Sequence, residues 1–298
     1  MYPTLLIAVS LLASPALGSS DPAGETSAAA SPAVISNAVI SNAVRSVETA
    51  SVKSPVKSKR GSSVKPKVVT FKTEDGIELT ADYFAPKDSS SRAPLAILVH
   101  DAGGDRSQMT LFAERLHSQG MAVLAPDFRG HGASKSPTLD WDKLEEGERE
   151  KMWSFAPRDL EAASNWIDGR REIHGANITL VGLRAGCALS VYHAGRDSDV
   201  RAVVLIEPNS EPELGFNLVR EVERLGGLTT KVYTPREKES AAMMIQAGGT
   251  EANDGHEFIE VDLCKSKGED LIHDRRVASD VAKWVKSIAF PKRGRRPR

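Results

Sequence analysis

Four near-continuous apolar runs dominate this chain: Leu95-Ala96-Ile97-Leu98-Val99-His100, Met121-Ala122-Val123-Leu124-Ala125, Ile178-Thr179-Leu180-Val181 and Ala202-Val203-Val204-Leu205-Ile206. A strand that is apolar at every position is buried on both faces, as in a parallel sheet covered by helices on each side. Helical spacing separates the runs, for example Met109, Leu111, Phe112 and Leu116, stopped by Gly120. Ahead of them, Val68-Val69-Thr70-Phe71 and Ile77 to Tyr83 alternate in polarity and join across Asp75-Gly76, a hairpin signal. Two weaker strands follow, Leu228 to Thr234 and Phe258 to Leu263. A final helix carries Val277, Val281, Trp284 and Val285 on one face. The alternation specifies an α/β fold over 67–289, a mostly parallel eight-stranded sheet with helices on both faces. Sites in such sheets form at the carboxyl ends of the strands.

The chain of 298 residues, 40% of them apolar, exceeds what one core of about 200–250 residues needs. Leu5 to Leu17 is an apolar run, with Ala16-Leu17-Gly18 at signal-peptidase spacing and no Lys or Arg in Met1-Tyr2-Pro3. It is shorter than the roughly 20 residues of a spanning helix. Residues 1–18 therefore read as an export signal. Residues 19–66 lack aromatic side chains and repeat Val34-Ile35-Ser36-Asn37-Ala38 as Val39-Ile40-Ser41-Asn42-Ala43, which reads as a disordered low-complexity spacer. Residues 290–298 form a basic tail. A secreted or periplasmic protein without a transmembrane segment in its mature form is the expectation.

The net charge of −1 gives no reason to expect nucleic acid or an acidic polymer as partner of the whole molecule, but the charge is uneven. Arg45, Lys53, Lys57, Lys59, Arg60, Lys65 and Lys67 precede the first strand, and Lys292, Arg293, Arg295, Arg296 and Arg298 end the chain. Such blocks are commonly solvated, the alternative being electrostatic contact with an anionic envelope surface. The two cysteines, Cys187 and Cys264, follow strands three places apart, about 14 Å by strand spacing. That is too far for a disulfide.

The loops carry a resemblance. Asp127-Phe128-Arg129-Gly130-His131-Gly132-Ala133-Ser134 fits a D-x-R-G-x-G-x-S loop at every fixed position. His100-Asp101-Ala102-Gly103-Gly104 is similar to an H-G-x-G-G oxyanion loop, with Asp101 in place of a glycine. Gly182-Leu183-Arg184-Ala185-Gly186 has the frame of the nucleophile elbow G-x-S-x-G. On these loops the chain resembles the α/β-hydrolase superfamily, especially its serine aminopeptidase-like and monoglyceride-lipase-like branch, over about residues 68–287. The resemblance implies a Ser-acid-His triad and an oxyanion hole built from the N–H groups of Ala102 and Ala185.

The chemistry departs from that pattern. Arg184 stands at the nucleophile position and stays protonated at any working pH. The resemblance places the acid near Glu237 and the histidine near Glu269, where Lys267-Gly268-Glu269-Asp270 contains none. His273 comes one turn later, Cys187 lies three residues past the apex, and His100 and His131 belong to the loop motifs. Arg184 calls for a negative partner, and Asp101, Glu207, Glu237 and Glu269 are the candidates on neighbouring strand ends. Either these plug the pocket, or the helix N-terminus, Arg184 and the N–H groups bind a small anionic ligand such as a carboxylate or phosphate ester. The charged segment Leu139 to Trp153 suggests a short helical cap.

Three readings stand: an exported pseudo-hydrolase acting in binding or scaffolding; an esterase- or peptidase-type hydrolase with a non-standard nucleophile; and an interaction module with a plugged pocket and basic tethering tails. No cofactor and no metal are expected.

Overall fold

The computed structural model describes residues 65–88, 91–252, 258–264 and 270–291. The segments expected to be an export signal and, nearly all of it, a spacer, together with Glu269 and the residues from Lys292, lie outside the described residues. Two units divide the chain, Met1–Ser58 and Lys59–Arg298, and every described residue belongs to the second.

Eight strands form one sheet in the order β1-β2-β4-β3-β5-β6-β7-β8. They are β1 (Lys67–Lys72), β2 (Glu78–Phe84), β3 (Ala93–Val99), β4 (Ala122–Pro126), β5 (Ile173–Leu183), β6 (Val200–Ile206), β7 (Thr229–Pro235) and β8 (Ile259–Cys264). Only β2 runs against the rest, pairing antiparallel with β1 and β4. β3 and β4 are buried at every position, as are the last six residues of β5. This is why those runs carry no polar alternation.

The helices are α1 (Thr110–Ser118), α2 (Glu146–Trp153), α3 (Ala156–Asn165), α4 (Ala185–Ala194), α5 (Leu218–Val222), α6 (Glu239–Ala252) and α7 (Arg275–Ala289). α1 and α7 cover one face, where Phe112, Leu116, Val277, Val281 and Val285 pack on Leu98, Val181 and Val204. The other face is covered from α3, α4, α5 and α6, with Leu160, Leu189, Val222 and Ile245 against Ile97, Leu180 and Leu205. Each such fully buried aliphatic side chain contributes about 1.5–3 kcal/mol relative to exposure.

The segment Leu139 to Trp153 contains the short helix α2 and is anchored through Trp141, Met152 and Trp153. Trp141 donates its backbone N–H to Gly130 O at 2.9 Å, and the Trp141 and Trp153 rings pack edge-on at 6.0 Å beside His131. Glu145, Glu146, Glu148 and Glu150 face solvent. Both cysteines are free thiols, Cys187 buried and Cys264 half-buried.

Candidate functional site

The turn between β5 and α4 is held by sterics. Arg184 has φ +47° and ψ −114°, a backbone that side-chain-bearing residues rarely adopt and that marks stored strain. A Cβ on Gly182 would come within 2.6 Å of Gly186 O, and one on Gly186 within 2.6 Å of the carbonyls of His100 and Val99. The strained apex and the two close approaches are the geometry that lifts one side chain above the sheet.

That side chain ends among carboxylates. Arg184 Nη2 lies 2.8 Å from Asp270, Nε 3.0 Å from Glu207 and Nη1 3.6 Å from Asp101. Burial opposes the guanidinium charge, but Glu207 first, then Asp270 and Asp101, hold its pKa above the ordinary arginine value. Glu207, at φ +51° just past β6, is itself fixed twice more. Its N–H donates to Tyr233 O at 2.8 Å, and its second carboxylate oxygen accepts the N–H of Leu271 at 2.5 Å.

Asp101 Oδ1 accepts the N–H of Ala185 at 3.2 Å, and the N–H of Ala102 also stabilises this carboxylate. The two donors expected to form an oxyanion hole therefore both face a carboxylate of the chain itself. Burial is the strongest influence on Asp101 and leaves its pKa raised in spite of these donors and Arg184.

Glu237 follows β7 as expected, exposed in the short 3₁₀ turn Arg236–Lys238, and is not among the carboxylates paired with Arg184. The carboxylates that meet the elbow come instead from the ends of β3 and β6 and from the residue before the turn Leu271–His273. Two of the four expected partners of Arg184, Asp101 and Glu207, are in contact with it. Asp270 was not among the four, since its placement depends on how the chain re-enters after β8. His273 is exposed and outside this cluster.

The loop histidines are fully engaged. His100 Nδ1 donates to Asp101 O at 2.7 Å and Nε2 accepts the N–H of Phe128 at 3.1 Å. His131 Nε2 accepts the N–H of Gly103 at 3.1 Å and Nδ1 donates to Arg129 O at 2.8 Å. Burial pushes both pKa values down to about 4, so both rings are neutral and have no nitrogen left for proton transfer. The single S–H of Cys187 is shared between the carbonyls of Gly182 and Ile206, 3.3 and 3.4 Å from Sγ, and burial drives the thiol pKa far up. It behaves as a packed apolar group rather than a nucleophile.

The D-x-R-G-x-G-x-S loop is an architectural lock. Asp127 accepts the N–H groups of Arg106 and Ala133 at 2.7 Å each and pairs with the Arg106 guanidinium. A Cβ on Gly132 would strike its carboxylate at 2.3 Å. Gly130, at φ +73°, leaves space that the Met152 thioether fills. Gly104 gives the Gln108 amide its room, and Gly103, at φ +76°, sits under the Trp141 ring. Arg129 pairs with buried Asp159 at 2.6 Å and with Asp75 of the hairpin turn at 2.8 Å, which ties α3, this loop and β1–β2 together.

Elsewhere, a cleft of about 730 Å³ between α3 and α4 holds a grouping the sequence did not signal. Ser164 Oγ lies 3.0 Å from His193 Nε2, and Asp197 Oδ2 lies 3.1 Å from the same nitrogen. A nucleophilic triad needs the serine on one ring nitrogen and the carboxylate on the other. Here both compete for one, which makes a side-chain link between α3 and the end of α4 and not a catalytic relay.

With strand order, elbow and loops on view, the fold is the α/β-hydrolase fold. The sequence profile of the dienelactone hydrolase family matches residues 79–222, from β2 to α5. An uncharacterized protein of Mycobacterium tuberculosis, found in strains CDC 1551 and H37Rv, is 32% identical over 132 residues. That match covers 44% of this chain and only 42% of the relative's length. Among solved structures, the Pyrococcus furiosus esterase Pf2001 superposes with a TM-score of 0.58 at 18% identity, covering 76% of this chain and 91% of the esterase. The α/β hydrolase GrgF from Penicillium sp. sh18 gives 0.58 at 16% identity, over 76% of this chain and all of GrgF (100%). The esterase domain of a Rhodothermus marinus protein gives 0.54 at 19%, over 75% and 99%.

Proposed function

We propose that this chain is a non-hydrolytic protein on the α/β-hydrolase fold, exported from the cytoplasm and acting in binding or scaffolding. One observation carries the reading: the apex of the elbow is a permanent cation, neutralised by Asp101, Glu207 and Asp270, while Asp101 covers the Ala185 N–H. Acyl transfer needs a nucleophile with a base beside it and free donors for the oxyanion. The elbow has a cation for the first, carboxylates in place of the second, and an occupied third.

The same geometry favours the plugged pocket over an anionic ligand. One guanidinium faces three carboxylates, so the cluster is net negative and an incoming carboxylate or phosphate ester meets repulsion. The D-x-R-G-x-G-x-S loop supports ancestry in the serine aminopeptidase-like branch, and the apolar run Leu5 to Leu17 supports export.

The test pairs a fluorophosphonate and a thiol-directed hydrolase probe with a panel of short-chain esters, on the chain itself and on Cys187→Ala. The expected result is no labelling and no turnover. Labelling that disappears in Cys187→Ala would establish a hydrolase with a non-standard nucleophile instead. Titration with acetate, phosphate and phosphate monoesters should leave the thermal midpoint flat, because a ligand that binds the folded state raises it.

A further inference from the structure

β1 closes one edge of the sheet, and among the described residues only β2 pairs with it. Its register with β2 decides which backbone groups point outward. The Thr73 N–H donates to Ile77 O at 2.9 Å, so these two residues form a hydrogen-bonded pair. Such pairs alternate with non-bonded ones along an antiparallel ladder. Phe71, Val69 and Lys67 therefore bond to β2, opposite Leu79, Ala81 and Tyr83. Val68, Thr70 and Lys72 turn their N–H and C=O groups away from it. The far side of β2 gives the same phase: Thr80, which stands opposite Thr70, accepts the Asp127 N–H at 2.8 Å and so faces β4.

A row of outward N–H and C=O groups is a template for a further strand. The side chains of β1 suit one. Val68, Val69, Thr70 and Phe71 are strong strand formers, no proline or bulge interrupts Lys67–Lys72, and Val68 is 58% exposed. The opposite edge differs. β8 carries Glu260 and Asp262 two residues apart and hence on one face, so two copies of β8 laid antiparallel would bring carboxylates together.

We infer that β1 docks on β1 of a second copy, antiparallel about a two-fold axis at Thr70, joining the two sheets into one. Outward groups then meet outward groups: Thr70 stands opposite Thr70, and Val68 opposite Lys72. Centring the axis on Val69 instead would set Pro66, which has no N–H, opposite Lys72 and leave carbonyls unpaired. On the face covered by α3, Val69 comes opposite Phe71, whose ring lies 6.1 Å from Trp166, and aromatic–β-branched pairs across strands are favourable. A concavity of about 430 Å³ lined in part by Phe71, Ala162 and Trp166 gives those side chains room. Charge fits the same register. Lys67 comes opposite Thr73 of the second copy, beside exposed Glu74, and no lysine faces a lysine. Among the described residues Lys67 and Glu74 make no ion pair, so each is free for this contact. One strand of 6 residues from each copy is a small interface, which implies a weak, reversible dimer. This docking is independent of any chemistry at the elbow.

The experiment follows the oligomeric state of the full chain by sedimentation velocity from low to high micromolar concentration. Expected is a reversible monomer–dimer equilibrium. Thr70→Pro removes an N–H that β2 does not use, and Thr70→Lys sets two ammonium groups face to face across the axis. Each should weaken the dimer roughly tenfold or more, with the thermal midpoint at low concentration unchanged. If either variant lowers that midpoint, a pair of cysteine variants decides. Thr70→Cys should give a disulfide-linked dimer on mild oxidation, because the Cα atoms of a hydrogen-bonded cross-strand pair lie about 5.5 Å apart. Val68→Cys should not, exposed as it is, since the two copies of that residue lie about 13 Å apart. A chain that stays monomeric throughout overturns the inference. So does a dimer that persists in Thr70→Lys, or equal cross-linking of the two cysteine variants. Growth beyond a dimer overturns it as well, being the mark of β1 meeting β8 in an open-ended array.

Discussion

Asp101 reaches the Ala185 N–H with one carboxylate oxygen at 3.2 Å and Arg184 Nη1 with the other at 3.6 Å. The two departures from the hydrolase pattern, an aspartate for a glycine in the loop after β3 and an arginine for a serine in the elbow, are thus a single interaction. An aspartate alone at those N–H donors would repel a developing oxyanion. Without Asp101 the arginine would keep Glu207 at 3.0 Å and Asp270 at 2.8 Å as counter-charges. The dependence is therefore one-sided: Arg184 offsets Asp101 more than Asp101 is needed for Arg184.

Changing one of the pair alone should therefore not produce ester turnover. Arg184→Ser is expected to show no ester turnover, because both loop histidines are engaged and the donors remain under Asp101. It should also lower stability, since Asp101, Glu207 and Asp270 lose their cation. The Arg184 side chain is 31% exposed, so screening limits the loss to about 1–2 kcal/mol. Thermal or denaturant unfolding measures this, and adding Asp101→Gly should recover part of the loss by removing one of the stranded charges.

The two buried histidines set an acid limit. Their folded pKa values of about 4 lie below the ordinary 6.5, so the unfolded chain takes up protons first as pH falls. Their contribution is complete above pH 6.5 and is lost as pH falls through 4, at about 3 kcal/mol for each ring by linkage. Asp101 works in the opposite sense: its raised pKa favours the folded state as pH drops. The sum should be a thermal midpoint that declines from pH 6.5 to 4, with a shallower decline in His131→Gln. An unchanged slope in that variant would remove His131 from the account.

The fold was legible because burial on both faces leaves its mark residue by residue. β3, β4 and β6 could be located from apolar runs alone, and the hairpin from Asp75-Gly76. The elbow was legible because glycine is obligatory where backbone approaches backbone at 2.6 Å, as at Gly182 and Gly186. What the sequence hid were contacts set by long connections. Asp270 meets Arg184 at 2.8 Å only because of how the chain re-enters ahead of Leu271–His273. Glu237 follows β7 as counted but is exposed, and the pairs of Arg184 are made by Asp101, Glu207 and Asp270. The grouping of Ser164 with His193 depends on how α3 lies across α4, which no local pattern encodes.

The elbow's shape should matter to stability whatever its chemistry. In Gly186→Ala the new methyl meets two backbone carbonyls at 2.6 Å, neither of which can rotate away. The sheet or α4 must shift, at about 1–3 kcal/mol or more. Gly147→Ala, with nothing within 4 Å of the added carbon, is the control and should be neutral or slightly stabilising. Equal effects at the two positions would mean that the turn relaxes freely.

The Arg129–Asp159 pair should be the most sensitive point of the loop after β4. Asp159 is fully buried, and it accepts both the Arg129 backbone N–H at 2.8 Å and the guanidinium at 2.6 Å. Asp159→Asn removes the charge that balances a buried guanidinium, which costs about 3–5 kcal/mol when one partner is lost. Asp75 keeps a second contact to Arg129 at 2.8 Å but is partly exposed, so it compensates in part. Chemical denaturation of Asp159→Asn against Asp75→Asn should rank the first as the more damaging.

Ser164 gives the sharpest check on whether the α3–α4 cleft has chemistry of its own. With Ser164 Oγ and Asp197 Oδ2 both addressing His193 Nε2, a proton on that nitrogen can satisfy the carboxylate, but it then leaves no lone pair for the hydroxyl. A lone pair there would serve the serine and face the carboxylate with repulsion. The stable arrangement has Asp197 as acceptor, in keeping with a pKa lowered first by its bond from His193. Ser164→Ala should accordingly leave any probe labelling unchanged. It should shift stability by no more than about 1 kcal/mol, the size of one lost hydrogen bond. His193→Ala should cost more, because it also removes the donor from Asp197 and a mostly buried ring. If Ser164→Ala instead abolished a measurable esterase activity, the cleft and not the elbow would be the reactive centre.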